Sequence, residues 1–206
     1  MARALLPLFP LQIVLFPGSR LPLHIFEDRY TLLIGECRQR KTEFGINRVQ
    51  SGAMADVGCT ARLVQVVQEY PDGRLDIVVE GGRRYRVVAR DAETRPYLQG
   101  TVEFLSETPD EIDRGLARST IALYNRLIAV VYRGKVNALP ADQVRAGLAF
   151  VMAQKAGLDL DARQRLLETD SENDRLHALE EYMTGVLPRL EKLDEIERIV
   201  RSDGYL

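Results

Sequence analysis

A chain of 206 residues is long enough for one large domain or two modest ones, and it can bury a substantial core. Apolar residues at 46% and charged residues at 28% exclude a disordered chain, and a net charge of -2 excludes the global basicity of a general nucleic-acid or anionic-membrane binder. The only two cysteines, Cys37 and Cys59, form no C-x-x-C pair, which fits a reducing cytoplasm better than a secreted disulfide scaffold.

The first stretch, LLPLFPLQIVLFPGSRLPLHIFEDRY from Leu5 to Tyr30, sets Leu, Ile, Val and Phe among Pro7, Pro10, Pro17 and Gly18. Its broken apolar run, its single leading charge at Arg3 and the lack of a small-x-small cleavage site argue against a signal peptide. Nowhere do about 18 apolar residues run without interruption, so no membrane span is expected. Pro7 and Pro10 suit an extended segment at a sheet edge or barrel start, because proline cannot donate to a ladder. Pro17-Gly18 matches the two central positions of a type II turn. A helix is predicted over 27–40, with Tyr30, Leu33, Ile34 and Cys37 on one face at i, i+3, i+4 and i+7.

Strands follow. FGINRV (44–49), ARLVQVVQEY (61–70), LDIVVE (75–80), RRYRVVAR (83–90) and LQGTVEFL (98–105) are short and mostly apolar. Pro71-Asp72-Gly73 and Gly81-Gly82 read as the turns of a meander, and the pattern predicts a small closed barrel or a tightly curled sheet. Strand character gives way to helix near Ser106 to Pro109. Thr108 reads as an N-cap with Pro109 at N1 and acidic Asp110, Glu111 and Asp113 in the first turn, for a helix ending at Arg133-Gly134. A second helix is expected from Pro140 through Ala156 and a short third one capped by Asp159. A long last helix is expected from Glu172 to about Arg201, with a Ser171–Asp174 capping pair. On it Leu176, Leu179, Met183, Val186, Leu190 and Leu193 form a heptad-like seam, and Pro188 is expected to kink it.

Chemistry is sparse. There is no G-x-S-x-G elbow, no phosphate-binding loop and no short metal-ligand spacing. The only histidines, His24 and His177, read as an edge residue and an exposed helix residue. Neither a catalytic site, a cofactor nor a metal is expected. Arg84, Arg86 and Arg90 share one face of a strand by period 2, and such a stripe could track a phosphate backbone. Only Tyr85 accompanies it, on the opposite face, so the stacking platforms of a single-strand binder are missing.

The opening residues carry a family resemblance. The LPLFPL strand (Leu6–Leu11), the VLFPG turn (Val14–Gly18), the LPLHIFEDRY segment (Leu21–Tyr30) and Phe44-Gly45 resemble the start of the N-terminal, substrate-binding domain of Lon proteases. EGGRRYRV (80–87) is similar to that family's G-x-x-R-[FY]-R strand, and RQRLLETDSENDRLHAL (163–179) resembles its LLE…RL segment. The resemblance implies an α+β fold: a PUA-like β-barrel domain over 1–106, followed by an α-helical bundle domain over 107–206 with a long C-terminal helix. In full-length Lon that helix leads toward ATPase and peptidase modules. This chain stops at Leu206 without a nucleotide-binding motif, so it reads as a stand-alone substrate-binding domain and not as an enzyme.

The function that the resemblance implies is a non-catalytic, cytoplasmic protein- or peptide-binding module, an adaptor in proteolysis or protein quality control. Its expected partners are unfolded or degron-bearing protein segments, or a protease, with no membrane and no nucleic acid, and the chain itself a monomer or homodimer. Phe16, Leu23, Phe26 and Tyr30 are the candidate peptide contacts. The alternative is an RNA-binding PUA-like protein that uses Arg84, Arg86 and Arg90.

Overall fold

The structure is a computed structural model that describes residues 3–108 and 111–202. Its elements in chain order are β1 (Arg3–Leu11), β2 (Arg20–Ile25), α1 (Asp28–Arg40), β3 (Phe44–Gln50), β4 (Ala53–Glu69), β5 (Leu75–Asp91) and β6 (Gln99–Phe104), then α2 (Arg114–Tyr132), α3 (Leu148–Ala153), α4 (Leu160–Glu168) and α5 (Glu172–Ser202). They group into two compact units. The first runs to Ser106 and also takes Asp159–Asp170; the second holds Glu107–Leu158 and the chain from Ser171 onward.

The first unit is a PUA-like β-barrel. Strand order is β2-β5-β4-β3-β1-β6, and a further β5–β6 pairing closes five of the strands on themselves, leaving β2 as an outlying strand beside β5. Among the described residues only β1 and β3 run parallel. β1 is not an edge strand, yet its prolines fit. Arg3–Pro7 pairs with β6 and Leu8–Leu11 with β3, so each half has one partner and leaves one side without a ladder to serve. The Pro17-Gly18 turn forms as expected: Gly18 has φ +72° and Ser19 N donates to Phe16 O at 3.1 Å.

Two strands are longer than the sequence suggests. β5 runs straight through Gly81-Gly82, where a turn was expected. A Cβ on Gly81 would lie 2.1 Å from Phe16 O, and one on Gly82 would lie 2.5 Å from Thr60 Oγ1. Both glycines serve close approach rather than chain reversal. β4 begins at Ala53, not at Ala61, after a hairpin turn at Ser51-Gly52 with φ of 49° and 80°. Its first half includes Ala53, Ala55, Gly58 and Cys59; at Gly58 a Cβ would meet Ile46 O at 2.6 Å.

The barrel core includes Leu8, Phe44, Ile46, Tyr85 and Val102, all buried. The one polar group of this set, the Tyr85 hydroxyl, donates to Asn47 Oδ1 at 2.5 Å, which offsets the cost of its burial. α1 buries Tyr30, Leu33, Ile34 and Cys37, the face read from its spacing. α4 also belongs to this unit. Gln164 Nε2 donates to Val57 O at 3.1 Å, Asp161 pairs with Arg48 at 2.6 Å, and the Arg163 guanidinium lies 4.9 Å from the Phe16 ring centroid.

The second unit is helical. α2 starts six residues after Thr108, at Arg114, with Asp113 as N-cap: its Oδ1 accepts from Gly115 N at 2.8 Å and Leu116 N at 3.0 Å. The expected N1 residue Pro109 and its neighbour Asp110 lie outside the described residues. α3 is only Leu148–Ala153, and the chain before it is not helical. There Asn125 pins Leu139 by a pair of 2.8 Å hydrogen bonds, and Gly147 takes φ +75°. α5 is continuous through the exposed Pro188. Leu176, Leu179 and Met183 are fully buried, but burial then passes from Val186 to Leu187, and Leu193 is exposed. A 3.6-residue helix drifts away from a strict heptad in this way. Arg175 is buried in this unit beside Glu172 and Glu107, its guanidinium 4.4 Å from the Phe150 ring centroid. No helix among the described residues is long and apolar enough to cross a membrane.

Candidate functional site

β2 pairs with β5 on one side and with no strand on the other among the described residues. Pro22 sits in the middle of that open edge, so the edge cannot offer an unbroken row of N–H donors to an added strand. In the β2–β5 register Leu21, Leu23 and Ile25 stand opposite Val79, Ile77 and Leu75, on the face that the barrel core covers. Arg20, Pro22 and His24, opposite Glu80, Val78 and Asp76, alternate onto the outer face.

An aromatic cluster ends that outer face. His24 Nδ1 lies 2.6 Å from Asp76 Oδ1, and the Tyr70 hydroxyl donates to Asp76 Oδ2 at 2.7 Å. Phe26 stacks on the His24 ring at 6.0 Å between centroids, Tyr70 meets the same ring edge-on at 6.0 Å, and the Arg74 guanidinium lies 5.1 Å from the Tyr70 ring centroid. The hydrogen bond from His24, then that from Tyr70, holds the Asp76 carboxyl below its ordinary range, and the same Asp76 contact pushes the Tyr70 phenol up. Phe26 is 64% exposed, a large aromatic face left in water beside two other rings. On the strand leading to Tyr70, β4 carries register irregularities at Val64 and Val67, both exposed. A bulge of this kind re-aims a side chain out of the alternation.

No serine, threonine or cysteine is hydrogen-bonded to His24 among the described residues. Both thiols are buried, and burial pushes both up, Cys59 far above its ordinary value, which leaves them poor nucleophiles. No group of His, Cys, Asp and Glu suited to a metal ion occurs among the described residues.

The residues singled out from the sequence are dispersed. Phe16 is wholly buried, and Tyr30 is core, its ring 4.0 Å from that of Phe9. Leu23 is half-buried on the covered face of β2, so of the four only Phe26 is exposed. The arginine stripe is not a surface stripe. Arg84 is 2% exposed and donates to the carbonyls of Leu167 and Thr169, each at 2.9 Å, and pairs with Asp170 at 3.0 Å. Arg90 pairs with Asp56 at 2.5 Å, and Arg86 is exposed.

Residues 5–185 match the family described as the ATP-dependent protease La (LON) substrate-binding domain. The chain belongs to this family. It is 27% identical to a Lon protease of Dictyoglomus thermophilum over 96% of its own length and 26% of that protein's. It is 29% identical to one of Roseiflexus castenholzii over 96% of this chain and 25% of that one. It thus spans about a quarter of the Lon proteases it matches, their substrate-binding part. A solved Lon N-terminal domain protein from Xanthomonas campestris superposes with TM-score 0.69 at 28% identity, covering 85% of this chain and 96% of that one. The N-terminal domain of a Mycobacterium avium complex Lon protease shares the fold at TM-score 0.64 and 19% identity, covering 88% and 98%.

Most of the residues that mark this Lon-type domain are scaffold: Leu6, Leu8, Phe9, Phe16 and Tyr30 fill its interior. The Phe26 cluster draws on three separate segments, and only the strand register brings His24 to Asp76. What the sequence did carry was a trace, Tyr70 and Arg74 flanking the Pro71-Asp72-Gly73 turn.

Proposed function

We propose that this Lon substrate-binding domain acts as a non-catalytic polypeptide-binding adaptor, taking apolar unfolded or degron-bearing segments on the surface around Phe26, His24 and Tyr70 for a protease that acts on them. The observation that carries the reading is the exposed Phe26 ring, stacked on His24 at the end of a strand whose free edge is interrupted by Pro22. Rings presented this way bury apolar area on contact and lose little side-chain freedom. The RNA-binding alternative has less support, because Arg84, one of its three arginines, is buried and paired.

The test is titration of the isotope-labelled protein with an unfolded, apolar-rich polypeptide. Shifts are expected at Phe26, His24 and Tyr70, and Phe26→Ser should weaken binding about tenfold, the loss expected when one exposed phenyl ring no longer becomes buried. Shifts confined to other surfaces, or a Phe26→Ser protein that binds as tightly as the parent, would overturn the assignment.

A further inference from the structure

The barrel unit carries a concavity that shares no residue with the Phe26 cluster. It has a volume of about 460 Å³ and lies between β1, the C-terminal end of α1 and the strand segments around Arg83 and Phe104. That size falls in the range of about 300–1,000 Å³ typical of ligand pockets. Leu5, Leu6, Pro7 and Phe104 supply an apolar lining, and Leu5 is 61% exposed at its rim.

Its charges are unequally committed. Arg40, Arg83 and Arg95 line it against Glu36 and Glu43, a surplus of one positive charge. Glu36 is fully engaged: Oε1 accepts from Arg95 at 2.9 Å, Oε2 from the Tyr97 hydroxyl at 3.0 Å, and Arg40 stands 3.9 Å away. Arg83 has no carboxylate partner among the described residues, and Glu43 forms no ion pair with it. Its guanidinium carbon instead lies over the Phe104 ring, 3.7 Å from the centroid, and its backbone is tied by N–H donation to Thr60 Oγ1 at 2.8 Å. A cation–ring contact consumes no N–H donor, so the guanidinium retains N–H groups that can take a bidentate acceptor.

An apolar floor beside a single uncommitted cation selects an apolar chain that carries one negative charge. An all-apolar peptide segment has a carboxylate only at its end, and the two glutamates in the lining disfavour further acidic side chains. We propose that this groove binds the C-terminus of an apolar polypeptide, with the terminal carboxylate on the Arg83 guanidinium and the last side chains against Leu5, Leu6 and Phe104. The inference rests on the polypeptide-binding reading but names a separate surface and a chemical end-group for the ligand.

Two N-acetylated alanine-leucine hexapeptides, one a free acid and one a C-terminal amide, test this in calorimetry and NMR titration of the full chain, with octanoate as a third probe. The acid is expected to bind about three- to tenfold more tightly than the amide, the gain of a partly exposed but bidentate ion pair. Arg83→Gln should erase that preference, Arg83→Lys should keep part of it, and Leu5→Asp at the exposed rim should weaken the acid selectively. Phe26→Ser should leave the acid-to-amide ratio unchanged, which separates this groove from the Phe26 surface. Equal affinity for acid and amide, an unchanged ratio in Arg83→Gln, or tighter binding of octanoate than of the peptide acid would overturn the proposal. So would failure of both peptides while unfolded polypeptide still binds through Phe26.

Discussion

Gly81 lies against the Phe16 carbonyl so closely that no side chain fits: a Cβ there would stand 2.1 Å from the oxygen, a backbone atom that cannot swing aside. Gly35, midway along α1, has nothing within 4 Å of its would-be Cβ. The same substitution should therefore act in opposite directions. Gly81→Ala is expected to cost about 2 kcal/mol or more, because β5 or the Phe16 turn must move. Gly35→Ala should stabilise by about 0.5–1 kcal/mol through helix propensity and a less flexible unfolded chain. Chemical denaturation of the two variants checks both signs. The same scale separates Phe16 from Phe26, which look alike in the sequence: one is sealed beneath Arg163, the other stands in water on His24.

Among the elements, those with strong local signals came out as read. α1 buries its predicted stripe, α4 starts after the Asp159 cap, and α5 starts after Ser171, whose Oγ accepts from Asp174 N at 3.3 Å. α2 did not begin where its best-looking cap stands. The Asp113 carboxylate satisfies two of its first N–H groups, and Asn173 Oδ1 in turn accepts from Asp113 N at 2.9 Å, an interaction set by tertiary packing. Asp113→Ala is accordingly expected to lower stability by about 1 kcal/mol, whereas Thr108→Ala should change it by less than about 0.5 kcal/mol. Equal losses in the two variants would place the start of the helix at Thr108 after all. β4 and β5 were each read short because Gly58, Gly81 and Gly82 mimic breaks, when their role is to let neighbouring backbone and side chains come close.

Over the whole molecule, carboxylates with depressed folded-state pKa values set the response to acid. Arg74 N–H donation lowers Asp72, the His24 contact lowers Asp76, Arg62 lowers Glu80, Thr94 lowers Asp91, and Arg198 lowers Asp194. A carboxyl whose pKa is lower folded than unfolded binds its proton more readily in the unfolded state. The stability it contributes is present above the unfolded value and is lost as pH falls through the folded one. The urea midpoint should thus hold level with respect to these groups down to about pH 5 and fall below about pH 4, near the ordinary carboxylate values. A midpoint unchanged between pH 6 and pH 3 would show that these contacts are too solvent-screened to matter.

The barrel-forming strands, the covering helix α1, the last helix and the family itself were legible in the sequence, because period-2 and period-3.6 burial, caps and the proline-glycine turn act over a few residues. Whether a phenylalanine, a histidine or an arginine faces water was not, because that depends on which distant segment packs on it. α4, drawn from among the helices, packs with the barrel and buries Arg84, which dissolved the arginine stripe. Strand register alone placed His24 on Asp76 beneath Phe26, and the return of β6 past Arg83 set Phe104 under a guanidinium with no carboxylate partner among the described residues. Local periodicity determined the scaffold; only long-range pairing decided which side chains were left for a partner.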